Sequence, residues 1–276
     1  MKRVLLALIA MSGAITCLAQ DTTSKEKADT IRVGGMIIIK ERKDKGEEKN
    51  GPDIVISNHH KRKSSNISTN WVIFDFGFSN FNDQTDYAAA RASGFIGQDV
   101  GPDQFDLRTG KSINVNIWFF MQRLNVIKHV VNLKYGLGLE LNNYRFEDER
   151  VHFAKNPTFI HLDPDWNVVD KNKFAADYIT VPLMANFNFT PGRENGFGLS
   201  AGVSAGFLYS SRQKIKVDGD KDKQHDDFDL EQWKFSYIGE LNLGPVKLYG
   251  SYAMHNMWEK GLDQTPYNVG IRFSHW

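Results

Sequence analysis

Six ionisable residues fall where an alternating strand would turn them away from its apolar face: Asp75, Glu140 and Glu240 with Lys134, Lys234 and Arg272. Acids and bases are balanced, and charges enclosed in an interior are tolerated only when they are paired. The chemistry such a set performs is mutual neutralisation, with salt bridges filling and stiffening the space they share. Passing a proton or an ion along the same groups is the secondary use.

Other residues have the types that catalysis or metal binding needs. His255 lies near Ser251 and Asp263, and a hydrolase built from such residues requires a base within hydrogen-bond reach of its nucleophile. Spacing alone does not establish that reach, so no catalytic residue is assigned and a polar rim histidine is expected. Asp218-Gly-Asp220-Lys-Asp222 alternates acids as a calcium loop does, but it lacks the glycine at the sixth position and is interrupted by lysines. A solvated loop is the expectation. His59-His60 stands in a lysine-rich stretch without further ligands. No metal and no cofactor are expected.

The elements that position these residues follow an export signal. Met1-Lys2-Arg3 precedes an apolar run at 4–15, with small and polar residues at Ala19 and Gln20; residues 1–20 read as a signal peptide. The run is shorter than the roughly 20 residues a membrane helix needs. Cys17 is the only cysteine, and Thr16 before it fits lipidation poorly, so the mature chain is expected to have neither disulfide nor thiol chemistry. Residues 21–69 read as a polar, partly disordered periplasmic extension. It contains β-prone patches at 30–40 and 53–57, and the apolar stretch 36–39 is expected to form a hairpin or dock on a partner.

From Trp71 onward the period is 2, the mark of strands with two different faces. The third segment is the cleanest: Val131, Leu133, Tyr135, Leu137, Leu139 and Leu141 alternate with Asn132, Lys134, Gly136, Gly138, Glu140 and Asn142. The first sets Val72, Phe74, Phe76 and Phe78 against Asp75, Gly77 and Ser79. The second sets Ile113, Val115, Ile117, Phe119 and Met121 outward, with Trp118 and Phe120 as exceptions on the polar face. Further segments start near residues 178, 197, 233, 246 and 267, and small inward residues between 198 and 210 leave room in a narrow interior.

The connections expected at 80–111, 143–176 and 211–231 are long and polar, whereas those at 123–128, 190–195 and Gly244-Pro245 are short. Long loops alternating with short turns are the pattern of an outer-membrane barrel, with the loops outside the cell and both termini in the periplasm. The mean hydropathy of −0.43 does not oppose this, because alternation hides lipid-facing residues from any averaging window. Lys and Arg number 34 against 33 Asp and Glu, leaving no charge excess to attract nucleic acid. Trp71, Phe189, Phe197, Tyr209, Trp233 and Tyr267 are placed to form interfacial girdles.

Tyr178-Ile-Thr-Val-Pro-Leu-Met, the Gly-rich segment ending in Tyr209-Ser-Ser-Arg-Gln-Lys214, and a chain that stops on an aromatic resemble the PorT-like outer-membrane β-barrel family of Gram-negative bacteria over residues 70–276. The final Trp276 departs from the phase of Tyr267, Val269, Ile271 and Phe273. The resemblance implies an outer-membrane location and, for some relatives, a part in protein export. The sequence thus predicts an all-β protein, an eight-stranded antiparallel transmembrane barrel at 70–276 behind a polar extension. Its lumen is expected to be plugged, and its role non-enzymatic: structural, surface-interacting or accessory to export. Expected partners are outer-membrane lipid and, through the extension or loops, periplasmic or outer-membrane proteins. The alternative is a rim-located hydrolase acting on lipid, peptide or glycan.

Overall fold

The computed structural model divides the chain into two units, Met1–Lys63 and Ser64–Trp276. It describes residues 29–33, 36–40 and 65–274, except 156, 165–168, 192–195 and 218–219. The expected signal peptide, Cys17, the patch at 53–57, His59-His60 and Trp276 lie outside the described residues. In the first unit β1 (Asp29–Val33) and β2 (Met36–Lys40) pair antiparallel, with Val33 opposite Met36 and Asp29 opposite Lys40. The β-prone patch at 30–40 is therefore a hairpin, which satisfies a run of backbone groups that would otherwise present two bare edges.

In the second unit the chain forms β3 (Ile67–Asp83), β4 (Ile113–Ile127), β5 (Val131–Arg145), β6 (Val151–Ala154), β7 (Phe159–Leu162), β8 (Val169–Asn188), β9 (Phe197–Val217), β10 (Asp220–His225), β11 (Trp233–Leu243), β12 (Val246–Ala253) and β13 (Gln264–Phe273). The ring runs β3-β4-β5-β8-β9-β11-β12-β13 and closes through β13 onto β3, every neighbour antiparallel. Closure leaves no unpaired strand edge, a requirement where only hydrocarbon is available as solvent. The pairing is uneven: β8 and β9 run side by side from Asn188 up to Val169, whereas β12 meets β13 only from Leu248 to Tyr252.

The alternation read from the sequence places the faces. Phe74, Phe76, Phe78, Val181, Leu183, Leu199, Val203, Phe235, Leu241, Val269 and Ile271 point out of the ring and are exposed, while Asp75, Ser79, Asn142, Thr180, Ser200 and Asn268 point in and are buried. An outer surface so uniformly apolar exceeds what a protein presents to water and is suited to lipid. Of the expected girdle, Trp71, Phe189 and Phe197 stand exposed at the short-turn end, and Tyr209 and Trp233 at the other.

Three expectations need correction. The first strand begins at Ile67, ahead of residue 70. Met121, expected outside, is fully buried, because a β-bulge between Trp118 and Phe120 inserts an extra residue and reverses the parity beyond it. Trp118 faces inward by the ordinary alternation, and Phe119 faces out. The long connections, finally, are not plain polar loops. β5 continues to Arg145, β8 starts at Val169, β9 runs on to Val217, β6 and β7 form a hairpin, and β10 adds to the upper part of β9.

The connection after β3 holds α1 (Tyr87–Ala92), capped by the Asp86 carboxylate, which accepts from the Ala88 and Ala89 N–H groups at 3.0 Å each. The short turn between β4 and β5 has Lys128 and His129 at φ of 45° and 59°. Positive φ at both positions matches the twist of the strands it joins, and Asn125 Oδ1 accepts from the His129 N–H at 2.6 Å.

Candidate functional site

All six charged residues singled out in the sequence are buried inside the ring. Arg272 on β13 lies directly opposite Asp75 on β3, and its Nε and Nη2 donate to the two carboxylate oxygens at 2.7 and 2.6 Å. This two-pronged geometry is the strongest a guanidinium makes. The remaining Arg272 nitrogen pairs with Glu240. Glu240 also pairs with Lys134, and Glu140 with Lys234.

The last two pairs cross the lumen. β5 carries Lys134 and Glu140, β11 carries Glu240 and Lys234, and the two strands run in opposite directions with equal spacing between base and acid. Lys134 therefore meets Glu240 where Glu140 meets Lys234. Neutral donors fill the remaining acceptor positions: Asn116 Nδ2 and Trp118 Nε1 donate to Asp75 at 3.1 and 2.7 Å, Asn268 Nδ2 to Glu140 at 3.1 Å, and the Ser200 hydroxyl to Glu240 at 3.2 Å. The Lys234 ammonium also lies 4.8 Å from the centre of the Tyr178 ring, a cation–π contact.

The space left between Trp118, Glu140, Met184, Glu240, Tyr249 and Arg272 is about 30 Å³, room for a water or two. Tyr249 fits across the lumen because Gly77 and Gly270, opposite each other on β3 and β13, leave a gap for its ring. A Cβ on Gly77 would come within 2.6 Å of the Tyr249 hydroxyl, and one on Gly270 within 2.7 Å of Cε1. The hydroxyl donates to the Asn114 amide oxygen.

At the long-loop end sits an apolar core that sequence reasoning missed. Each of the four long connections contributes aromatic residues to it: Phe95 and Phe105 from the first, Phe153 from the β6–β7 hairpin, Phe228 from the third and Trp258 from the last. Phe153 stacks on Phe174 at 4.8 Å and on Trp258 at 6.0 Å, and Phe174 meets Phe228 edge-on at 5.4 Å. The cluster rests on Tyr144, Tyr178 and Leu208 of the strand walls. The Trp258 ring nitrogen is paired: Nε1 donates to Gln264 at 3.0 Å, and Gln264 Nε2 donates to Asp83 at 2.8 Å. The available signal was aromatic residues recurring inside segments otherwise polar enough to read as loops.

His152 on β6 lies opposite His161 on β7, ring centres 4.9 Å apart, with the Asp163 carboxylate 3.8 Å from His152 Nδ1. Burial, and then the neighbouring His161, pull the His152 pKa below its ordinary 6.5, with Gln224 and Asp163 acting the other way. The unfolded segment therefore takes up a proton first. Neutral His152 contributes fully above about pH 6.5 and loses that contribution as pH falls below it. Proteolysis within residues 146–164 is expected to accelerate between about pH 7.5 and about pH 5, and His152→Gln should remove most of that dependence. Equal acceleration in the variant would exclude His152 as its cause.

The other candidate chemistry is dispersed. His255 Nδ1 is 2.8 Å from the Asn256 carbonyl oxygen and its ring faces Phe235. The Ser251 hydroxyl instead accepts from Asn268 at 3.1 Å inside the ring, and the Asp263 backbone binds Thr85 and Gln84. Asp220 and Asp222, expected in a solvated loop, fall on strand β10. No cluster of three or more His, Cys, Asp or Glu fit to hold a metal ion occurs among the described residues.

Among known proteins, no curated one matches this chain. A solved structure of Ail, the attachment invasion locus protein of Yersinia pestis, is similar at a TM-score of 0.32 and 11% identity, covering 74% of this chain and 98% of that one. The family described as outer membrane protein beta-barrel domain matches residues 72–257, most of the closed antiparallel ring. The chain belongs to the outer membrane protein β-barrel family.

Proposed function

We propose that the protein is a plugged, non-enzymatic barrel of the PorT-like kind, acting at the cell surface through its capped loops or as an accessory to protein export. In this reading the cap faces the cell exterior, both termini and the β1–β2 hairpin are periplasmic, and residues 1–20 are removed on export. The observation that carries the reading is the lumen. Crossed ion pairs between β5 and β11 and the bidentate Arg272–Asp75 pair bridge the interior beside a space of about 30 Å³, and the aromatic core packs against the walls at one end.

Full-length protein in planar bilayers is expected to give no sustained conductance at physiological salt. A stable open state of the size that a wider porin shows would overturn the plug. The choice of role rests on a second experiment, cross-linking in intact cells with and without residues 21–63. Partners lost with the extension support the export accessory, and partners retained support a role for the capped loops.

A further inference from the structure

Above the girdle the outward face of the sheet changes from apolar to basic. Ile179 on β8 and Tyr209 on β9 are the last exposed apolar residues of their strands. Beyond them backbone register lines up cations in rows across strands. Arg145, Lys173, Lys214 and Lys223 are successive cross-strand partners on β5, β8, β9 and β10, and Lys171 and Lys216 are partners on β8 and β9. Residues directly opposite in antiparallel strands share a face, where like charges repel. A fold that places them so carries a cost that a bound anion would offset.

The charges on this face do not cancel. Arg145 pairs with Glu149 at 3.0 Å, Lys216 with Asp170 at 3.4 Å, and Arg212 with Asp177. Lys173 donates to a neutral group, Asn143 Oδ1, at 2.8 Å. The cations outnumber these carboxylates. Lys173 feels the excess: partial burial, then Lys171, Lys214 and Arg212, push its pKa down to about 8.

We infer that the outward face of β8, β9 and β10 is a binding surface for the phosphorylated saccharide headgroups of outer-leaflet glycolipid. The inference rests on the proposed orientation with the capped loops outside. At a strand rise of about 3.3 Å and a tilt of about 45°, Lys173 and Lys214 stand roughly 10–15 Å beyond the last lipid-facing side chains. They face sideways into the headgroup layer, as the lipid-facing residues below them do, and this position favours a membrane-embedded phosphate over a soluble polyanion.

Binding of three probes to the full-length protein in neutral detergent tests the inference: bisphosphorylated lipid A, fully dephosphorylated lipid A and heparin. The native protein should bind the bisphosphorylated form, and combined Lys171→Gln, Lys173→Gln, Lys214→Gln and Lys216→Gln should weaken that binding by at least about a hundredfold. The four matching Lys→Arg changes should preserve it, and heat-modifiable gel mobility checks that each variant folds. Binding to native protein should also fall steeply with added salt. The inference is overturned if dephosphorylated lipid A binds equally well, if the glutamine variant binds like the parent, or if heparin is preferred. Orientation is read separately by impermeant maleimide labelling of Lys223→Cys in intact cells. No labelling alongside intact lipid A binding would refute the orientation and leave the chemistry standing.

Discussion

Arg272→Ala is expected to destabilise the barrel by about 3–5 kcal/mol, because it strips the partner from two buried carboxylates at once. Asp75 loses both of its short guanidinium bonds and Glu240 loses one of its two cations. Both acids are buried. Arg272→Lys should recover part of the loss, since a point charge satisfies one acid but not the two-pronged geometry. Removing both members of a pair, as in Arg272→Met with Asp75→Leu, should cost far less than either single change. The measurement is equilibrium unfolding in urea, followed by tryptophan fluorescence and by heat-dependent gel mobility. If Arg272→Ala lay within about 0.5 kcal/mol of the parent, the network would be decoration and not part of what holds the barrel shut.

The second large effect is Trp258→Ala, with an expected cost of about 3–5 kcal/mol confined to the cap. Trp258 is stacked against Phe153 and Phe174 and meets Phe95 edge-on, so its removal leaves a void bordered by the first two long connections and the wall of β8. Its ring contacts lie with Phe95, Phe153 and Phe174, away from the ion pairs of the lumen. Limited proteolysis should therefore cut the variant within residues 84–112 and 146–168 while the remaining fragments keep the mobility of a closed barrel. A variant whose barrel and cap melt together would show that the two are one cooperative unit.

The strands were legible because lipid outside and charge inside impose a strict period of 2, and the third strand shows it without exception. Short turns were legible for a related reason: the twist of a hairpin admits few residues, and Gly244-Pro245 announces itself. Met121 was misplaced because a single extra residue reverses a period of 2 and leaves no mark in composition. The lumen charges could be named from parity, but their partners could not, since pairing across a ring depends on which strands face each other. Equal spacing of base and acid on β5 and β11 was the available clue. The cap was hidden because its core is assembled one or two aromatics at a time from four separate connections, none of them periodic. His152 and His161 came together only through the β6–β7 hairpin, inside a segment read as loop.

The crossed pairs also bear on how the ring is made. Lys134 and Glu140 belong to an early strand, and their partners lie 106 and 94 residues further along the chain. Until β11 arrives, two unpaired charges of β5 keep their hydration, because stripping it without a counter-ion costs several kcal/mol per ion. An incomplete sheet must therefore remain wet on its concave side even where its convex side already touches lipid. Drying of the interior and closure of the circle become one late event, and a sheet that closes out of step traps an unmatched charge and reopens.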